Sequence, residues 1–207
     1  MARNVVCFGD SNTYGYCGDP GDCADGVRFN EEERWTGLLQ KALGKAYCIY
    51  EEGVVGRTTA FEDPMRPGMN GLKDLPSVLS RYGAVDLLIL MLGTNDTKPR
   101  FGLCPEEIAG GMERLVRRAK KLPVWREGRP WILVVAPPHI RGTGGSSMYA
   151  KSAALAPLYR TLAERNSCAF LDAEEICVFN KVDYTHLTSA AHMALAEHLA
   201  GTIPNLI

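Results

Sequence analysis

Five short apolar runs, rich in β-branched residues, recur roughly every forty residues, and the intervals between them carry helix-period stripes. The runs are Val5–Gly9, Tyr47–Gly53, Asp86–Leu92, Trp131–Ala136 and Cys168–Asp172. A strand followed by a helix and a second strand returns parallel to the first through a right-handed crossover. Repeated along the chain, that rule gives a parallel sheet covered by helices on both faces. The expected class is α/β. Its expected form is a three-layer α/β/α sandwich with a flavodoxin-like five-stranded parallel sheet in the order 2-1-3-4-5.

The helical stripes are clear in most intervals. Trp35, Leu38, Leu39, Ala42 and Leu43 share one face, as do Ile108, Met112, Leu115, Val116, Ala119 and Leu122, opened by Pro105. Leu155, Leu158, Tyr159 and Leu162 form a third stripe, whose start Pro157 obscures. Thr188 is a candidate N-cap for a stripe through Ala191, Leu195 and Leu199, and Asp74–Tyr82 is a weaker helix. A chain of 207 residues with no repeat or linker fits one domain over 1–207. The stretches 15–26, 63–71 and 141–147 read as loops over a site.

Charge and cysteine content exclude several functions. With 23 basic and 24 acidic residues, no field of one sign gathers nucleic acid or an anionic membrane. The longest apolar run, Leu87–Leu92, cannot span a bilayer, and the N-terminal run lacks a small-residue cleavage site, so neither membrane insertion nor a signal peptide is expected. The seven cysteines are odd in number and form no C-x-x-C. Reduced thiols and a cytoplasmic location are expected, with Cys17–Cys23 left as the one candidate disulfide.

In this topology ligands bind at the carboxyl ends of the strands, where the order reverses around strand 1. The segments after strands 1, 2 and 3 are Asp10-Ser11-Asn12-Thr13, Val54 to Thr59 and Gly93-Thr94-Asn95-Asp96. Ser11 is a candidate nucleophile, which needs a base to take its proton. Of four histidines, only His186 has an acid one turn away, Asp183, and it lies in the loop after strand 5 at the same rim. Candidate oxyanion donors are the Ser11 N–H, the Gly56 N–H (with Gly53 as its neighbour and competitor) and the Asn95 amide. Asp10 and Asp96 read as residues that order their loops. Tyr14, Tyr16 and Trp35 are candidate substrate contacts, against a core or rim role, and His139 is a weaker candidate for the pocket wall. His192 and His198, six apart, read as solvated or core-edge residues, not a metal pair.

These blocks together, Gly9-Asp10-Ser11, the glycine near 56, Gly93-Thr94-Asn95-Asp96 and Asp183-x-x-His186, resemble those of the SGNH (GDSL-type) hydrolases in order and spacing. The resemblance implies Ser11, His186 and Asp183 as a triad, and Ser11, Gly56 and Asn95 as an oxyanion hole. Arg34-Trp35-Thr36-Gly37, Glu51-Glu52-Gly53, Arg57-Thr58-Thr59, Asp63-Pro64, Asn70-Gly71 and Leu92 to Lys98 look like the bacterial arylesterase/acyltransferase (perhydrolase-like) branch. Members of that branch hydrolyse small acyl esters, and some pass the acyl group to alcohols or peroxide. The expected partner is therefore a small-molecule ester, and the resemblance allows a homo-oligomer with the 63–71 loop as a contact. Here Tyr14 and Tyr16 stand where tryptophans are expected, and 137–155 is short, which bears on pocket size.

Other chemistry lacks its motif. There is no G-x-S-x-G, no G-x-x-x-x-G-K-[ST], no G-x-G-x-x-G and no H-E-x-x-H, so no cofactor or metal is expected. A carbohydrate deacetylase or lysophospholipase-type esterase uses the same residues and stays open. A flavodoxin-like binding module is the remote alternative, and it leaves Asn95 and Asp183-x-x-His186 unexplained.

Overall fold

The computed structural model describes residues 1–142 and 146–207. Its strands are β1 (Arg3–Gly9), β2 (Tyr47–Gly53), β3 (Leu87–Met91), β4 (Ile132–Ala136) and β5 (Ala169–Asp172). They pair in parallel as β2-β1-β3-β4-β5, the order expected from the sequence. The helices are α1 (Ser11–Tyr14), α2 (Trp35–Leu43), α3 (Gly71–Ser80), α4 (Pro105–Lys120), α5 (Ser146–Arg165) and α6 (Ser189–Leu206).

Successive strand residues point to opposite faces, and here each face has its own core. Val6, Phe8, Leu88, Leu90 and Val134 pack against α3, α4 and α5. Val5, Cys7, Ile89, Leu133 and Val135 pack against α2 and α6. Double-sided burial is why the central strands read as unbroken apolar runs. Truncating a buried leucine in such a core costs about 2–5 kcal/mol.

Two helices depart from the sequence reading. α3 begins at Gly71, ahead of the expected Asp74, because the Asn70 side chain accepts from the Lys73 N–H and starts the turn. α5 continues through Pro157, because Leu155, Ala156, Tyr159, Leu162 and Ala163 bury against the sheet and outweigh the lost hydrogen bond. Ser146 and Ser147 belong to α5, while residues 143–145 of the expected loop lie outside the described residues. Thr188 caps α6 by accepting from Ala191 N–H at 3.0 Å. All seven cysteines are free. No helix among the described residues is long and apolar enough to cross a membrane.

The register fixes the site. Gly9 pairs with Gly53 on one side and with Met91 on the other, so three strands end level. The segments that follow them necessarily share one rim.

Candidate active site

The first block is built by a sharp reversal after β1. A Cβ on Gly9 would collide with the Thr13 side chain, so glycine lets α1 begin at once. Asp10 starts it, its Oδ1 accepting from Asn12 N–H at 2.9 Å. Burial raises the Asp10 carboxyl pKa, against the Asn12 N–H and the charges of His186, Lys98 and Arg57. Ser11 is thereby held at the cleft floor, only 4% exposed.

The second block is the loop before α6. Asn180 organises it: Oδ1 accepts from the N–H groups of Val182 and Asp183, and Nδ2 donates to Asp183 Oδ1 and to the His186 carbonyl. Asn12 then ties this loop to α1, donating to the Thr185 carbonyl at 3.1 Å and accepting from Leu187 N–H at 3.0 Å. His186 is gripped on both sides by a neighbour of Ser11. Gly18 backs the loop closely enough that a Cβ there would strike the Asp183 carboxylate.

The result is a continuous relay. His186 Nε2 lies 2.9 Å from Ser11 Oγ, and Nδ1 lies 2.5 Å from Asp183 Oδ2. Desolvation alone would raise the Asp183 carboxyl. Hydrogen bonds from His186, Thr185 N–H and Asn180, with the His186 charge, outweigh it and hold the group well below the carboxylate range. An ionised Asp183 accepts the Nδ1–H and leaves the Nε2 lone pair for the serine hydroxyl.

The opposite wall carries the candidate donors. Gly56, at φ +95°, lines the cleft, whereas Gly53 ends β2 and packs against the α1 backbone. The structure thus separates the two glycines left open by sequence. Among the described residues, neither Ser11 N–H nor Gly56 N–H has a hydrogen-bond partner. Asn95 lies beside them; its Nδ2 donates to the Arg57 carbonyl at 3.1 Å and lies 3.4 Å from Asp10 Oδ2, while its Oδ1 accepts from Lys98 Nζ at 2.6 Å. Lys98 and the Arg57 carbonyl therefore fix which end of the amide is nitrogen. Asp96 turns away and orders the loop after β2, accepting from Thr59 N–H and from Thr59 Oγ1. Burial pushes its carboxyl up to about 6, against the Thr59 hydrogen bonds.

Ser11, Tyr16, Gly56, Asn95, Asp183 and His186 all line one cleft of about 280 Å³, together with Val55, Arg66, Thr94, Lys98, Met148 and Thr185. Of the three aromatic candidates Tyr16 lines the cleft, its ring centroid 4.5 Å from that of His186. Trp35 does not: it is 1% exposed, and its indole donates to the Asn12 carbonyl, so it braces α1 from behind. Tyr14 is likewise off the cleft, under the Arg28 guanidinium at 3.9 Å. Arg28 and Arg34 both bind Glu51 on β2, which makes these blocks a scaffold for the Tyr16 loop. His139 turns instead to Glu174, to which its N–H donates at 2.8 Å.

His192 is a further correction, being fully buried, with Nδ1 accepting from Trp35 N–H at 3.2 Å. Burial lowers its pKa to about 3, with help from the charges of Arg34 and His186. Sequence reasoning missed Asn12, Asn180 and Lys98 as supports. Lys98 had a readable signal, since it follows Asn95 by three residues in a 3₁₀ turn that stacks such positions. Among the described residues, no cluster of three or more His, Cys, Asp or Glu could hold a metal ion.

Comparison with known proteins identifies the family. The GDSL-like lipase/acylhydrolase family profile matches residues 7–194. The native aryl esterase of M. smegmatis is 35% identical, with a TM-score of 0.90 over 100% of both chains. A carbohydrate acetylesterase from Sinorhizobium meliloti is 34% identical, with a TM-score of 0.90 over 99% of this chain and 100% of that one. A G-D-S-L protein from Veillonella parvula, 12% identical with a TM-score of 0.73 over 99% of this chain and 100% of that one, shares the fold alone. No curated protein matches by sequence.

Proposed function

This chain belongs to the GDSL-like lipase/acylhydrolase family and is an esterase/acylhydrolase; from that premise we propose that it cleaves small, acetyl-like carboxylic esters through an acyl-enzyme on Ser11. The observation that carries the reading is the unbroken Ser11–His186–Asp183 relay. His186 Nε2 takes the Ser11 proton as Oγ attacks the carbonyl carbon. The oxyanion meets Ser11 N–H, Gly56 N–H and the Asn95 amide. His186 then gives the proton to the leaving alcohol. Water, with His186 again as base, releases the acid.

Small acyl groups fit the cleft of about 280 Å³ walled by Tyr16, Val55 and Met148. The named relatives are an aryl esterase and a carbohydrate acetylesterase, and the same relay serves either kind of leaving alcohol. Because the acyl-enzyme is attacked by whichever hydroxyl reaches it, an added alcohol or peroxide competes with water as acceptor. The test is covalent labelling with a fluorophosphonate followed by peptide mapping. Label at Ser11 is expected, and Ser11→Ala loses both the label and 4-nitrophenyl acetate turnover while its melting temperature stays near the parent's. Label elsewhere, or turnover by the alanine variant, overturns the assignment.

A further inference from the structure

The cleft is charged in a way that a neutral ester does not require. Among the described residues its charged walls are Arg66, Lys98 and Asp183, with His186 and Tyr16 as further titratable groups. The one carboxylate, Asp183, is committed to His186. The acids nearest Arg66 in sequence are also committed: Asp63 to Arg100 and Glu62 to Lys73. Among the described residues, the Arg66 side chain has no ion pair and no hydrogen bond. Nor does it sit apart from the chemistry: a Cβ built on Gly56 would lie 2.6 Å from Arg66 Nη1. Lys98 Nζ sits on Asn95 Oδ1 at 2.6 Å. Two cations thus flank two of the proposed oxyanion donors, and among the described residues no carboxylate pairs with Arg66.

We propose that the site selects esters that carry an anionic group, a carboxylate or a phosphate, near the scissile carbonyl, with the Arg66 guanidinium as its partner. A guanidinium binds such groups in a two-pronged fashion that an ammonium does not reproduce. The inference deepens the serine-esterase reading above and rests on it. The anion can belong to either half of the ester, so two matched pairs distinguish the sources. Monomethyl succinate against methyl butyrate places it on the acyl half. 4-Acetoxybenzoate against its methyl ester places it on the alcohol half.

The measurement is kcat/KM for each member, normalised to its rate of alkaline hydrolysis, for the parent protein, Arg66→Gln and Arg66→Lys. Arg66 is exposed, so neither change touches the core. A partly solvated ion pair gives about a fivefold preference for the anionic member of one pair. Arg66→Gln removes that preference, Arg66→Lys keeps part of it, and added salt erodes it. The proposal is overturned if neither anionic ester is preferred by the parent protein, or if the preference survives in Arg66→Gln. Failure of the esterase reading itself looks different: the neutral members then go uncleaved and Ser11 takes no fluorophosphonate.

Discussion

Asp183→Asn tests the relay most sharply, because the structure dictates which way the new amide must face. Asp183 Oδ1 receives three donors: Asn180 Nδ2 at 2.9 Å, Thr185 N–H at 3.0 Å and His186 N–H at 3.2 Å. An asparagine at 183 keeps its oxygen there, since an NH₂ facing three N–H groups would leave them all unpaired, at about 1–3 kcal/mol each. Its NH₂ then occupies the place of Oδ2 and donates to His186 Nδ1. The imidazole proton moves to Nε2, which donates to Ser11 Oγ and can no longer accept from it. Restoring the reactive tautomer requires turning the amide against those donors or facing N–H to N–H. A cost of about 5 kcal/mol corresponds to a fall in kcat near 10⁴. The assay is kcat for 4-nitrophenyl acetate, beside a thermal melt that establishes folding and the ¹⁵N shifts of His186 that report the tautomer. A folded variant whose kcat lies within tenfold of the parent's would refute the role assigned to Asp183.

Asn95→Ala removes one proposed oxyanion donor and is expected to lower kcat by about 10²–10³ with a much smaller change in KM, read from steady-state kinetics. Asn12→Ala strips the Thr185 carbonyl and the Leu187 N–H of their partners; a loss of about 2 kcal/mol in urea unfolding and a fall in kcat are expected together, and unchanged kinetics would show that the His186 loop needs no such tie. Asp96→Asn addresses pH. Between 3.8 and about 6 folded Asp96 holds a proton that the unfolded chain has released, so acidification adds stability; between 6.5 and about 3 unfolded His192 binds a proton that the folded chain refuses, so acidification removes it. The two slopes oppose each other, and unfolding free energies from urea titrations of Asp96→Asn should fall more steeply on acidification than the parent's, by about 1.4 kcal/mol per pH unit in the shared window.

The sheet order and strand positions were legible because double-sided burial leaves an unmistakable apolar signal in segments such as Leu87–Met91. The start of α3 was not, since Gly71 and Pro76 are poor helix formers and only the Asn70 cap and tertiary packing hold that turn. Ser11, Asn95, Asp183 and His186 can be proposed together from sequence because few residue types supply a candidate nucleophile, amide donor and paired base at strand ends, and the structure brings all four to one cleft. Trp35 and Tyr14 misled for a physical reason. An aromatic beside a motif serves a cleft or its scaffold equally well by composition, and which one depends on whether a buried carbonyl or a cation claims its ring. His192 misled because a helix face shows burial only through its apolar neighbours, and the Trp35 N–H that its Nδ1 satisfies comes from 157 residues away.

The relay stands on one short helical turn at Ser11 and on irregular backbone at Asp183 and His186, and loops are ordinarily the most mobile parts of a fold. Its rigidity comes from polar side chains that the sequence has buried beneath them: Asp10, Asn12, Asp96 and Asn180 are each at most 3% exposed. Each is satisfied mainly by backbone groups of a segment that carries chemistry, as Asn12 is by the residues on either side of His186. Buried polar groups cost desolvation, and an apolar core of the same volume would give more stability. What they give in return is direction, because a hydrogen bond is lost within a few tenths of an ångström while an apolar contact tolerates sliding. A 2.9 Å approach of imidazole to hydroxyl demands the directional kind. The polar layer under the rim is therefore best understood as part of the catalytic apparatus, and substitutions there should damage kcat out of proportion to their distance from Ser11.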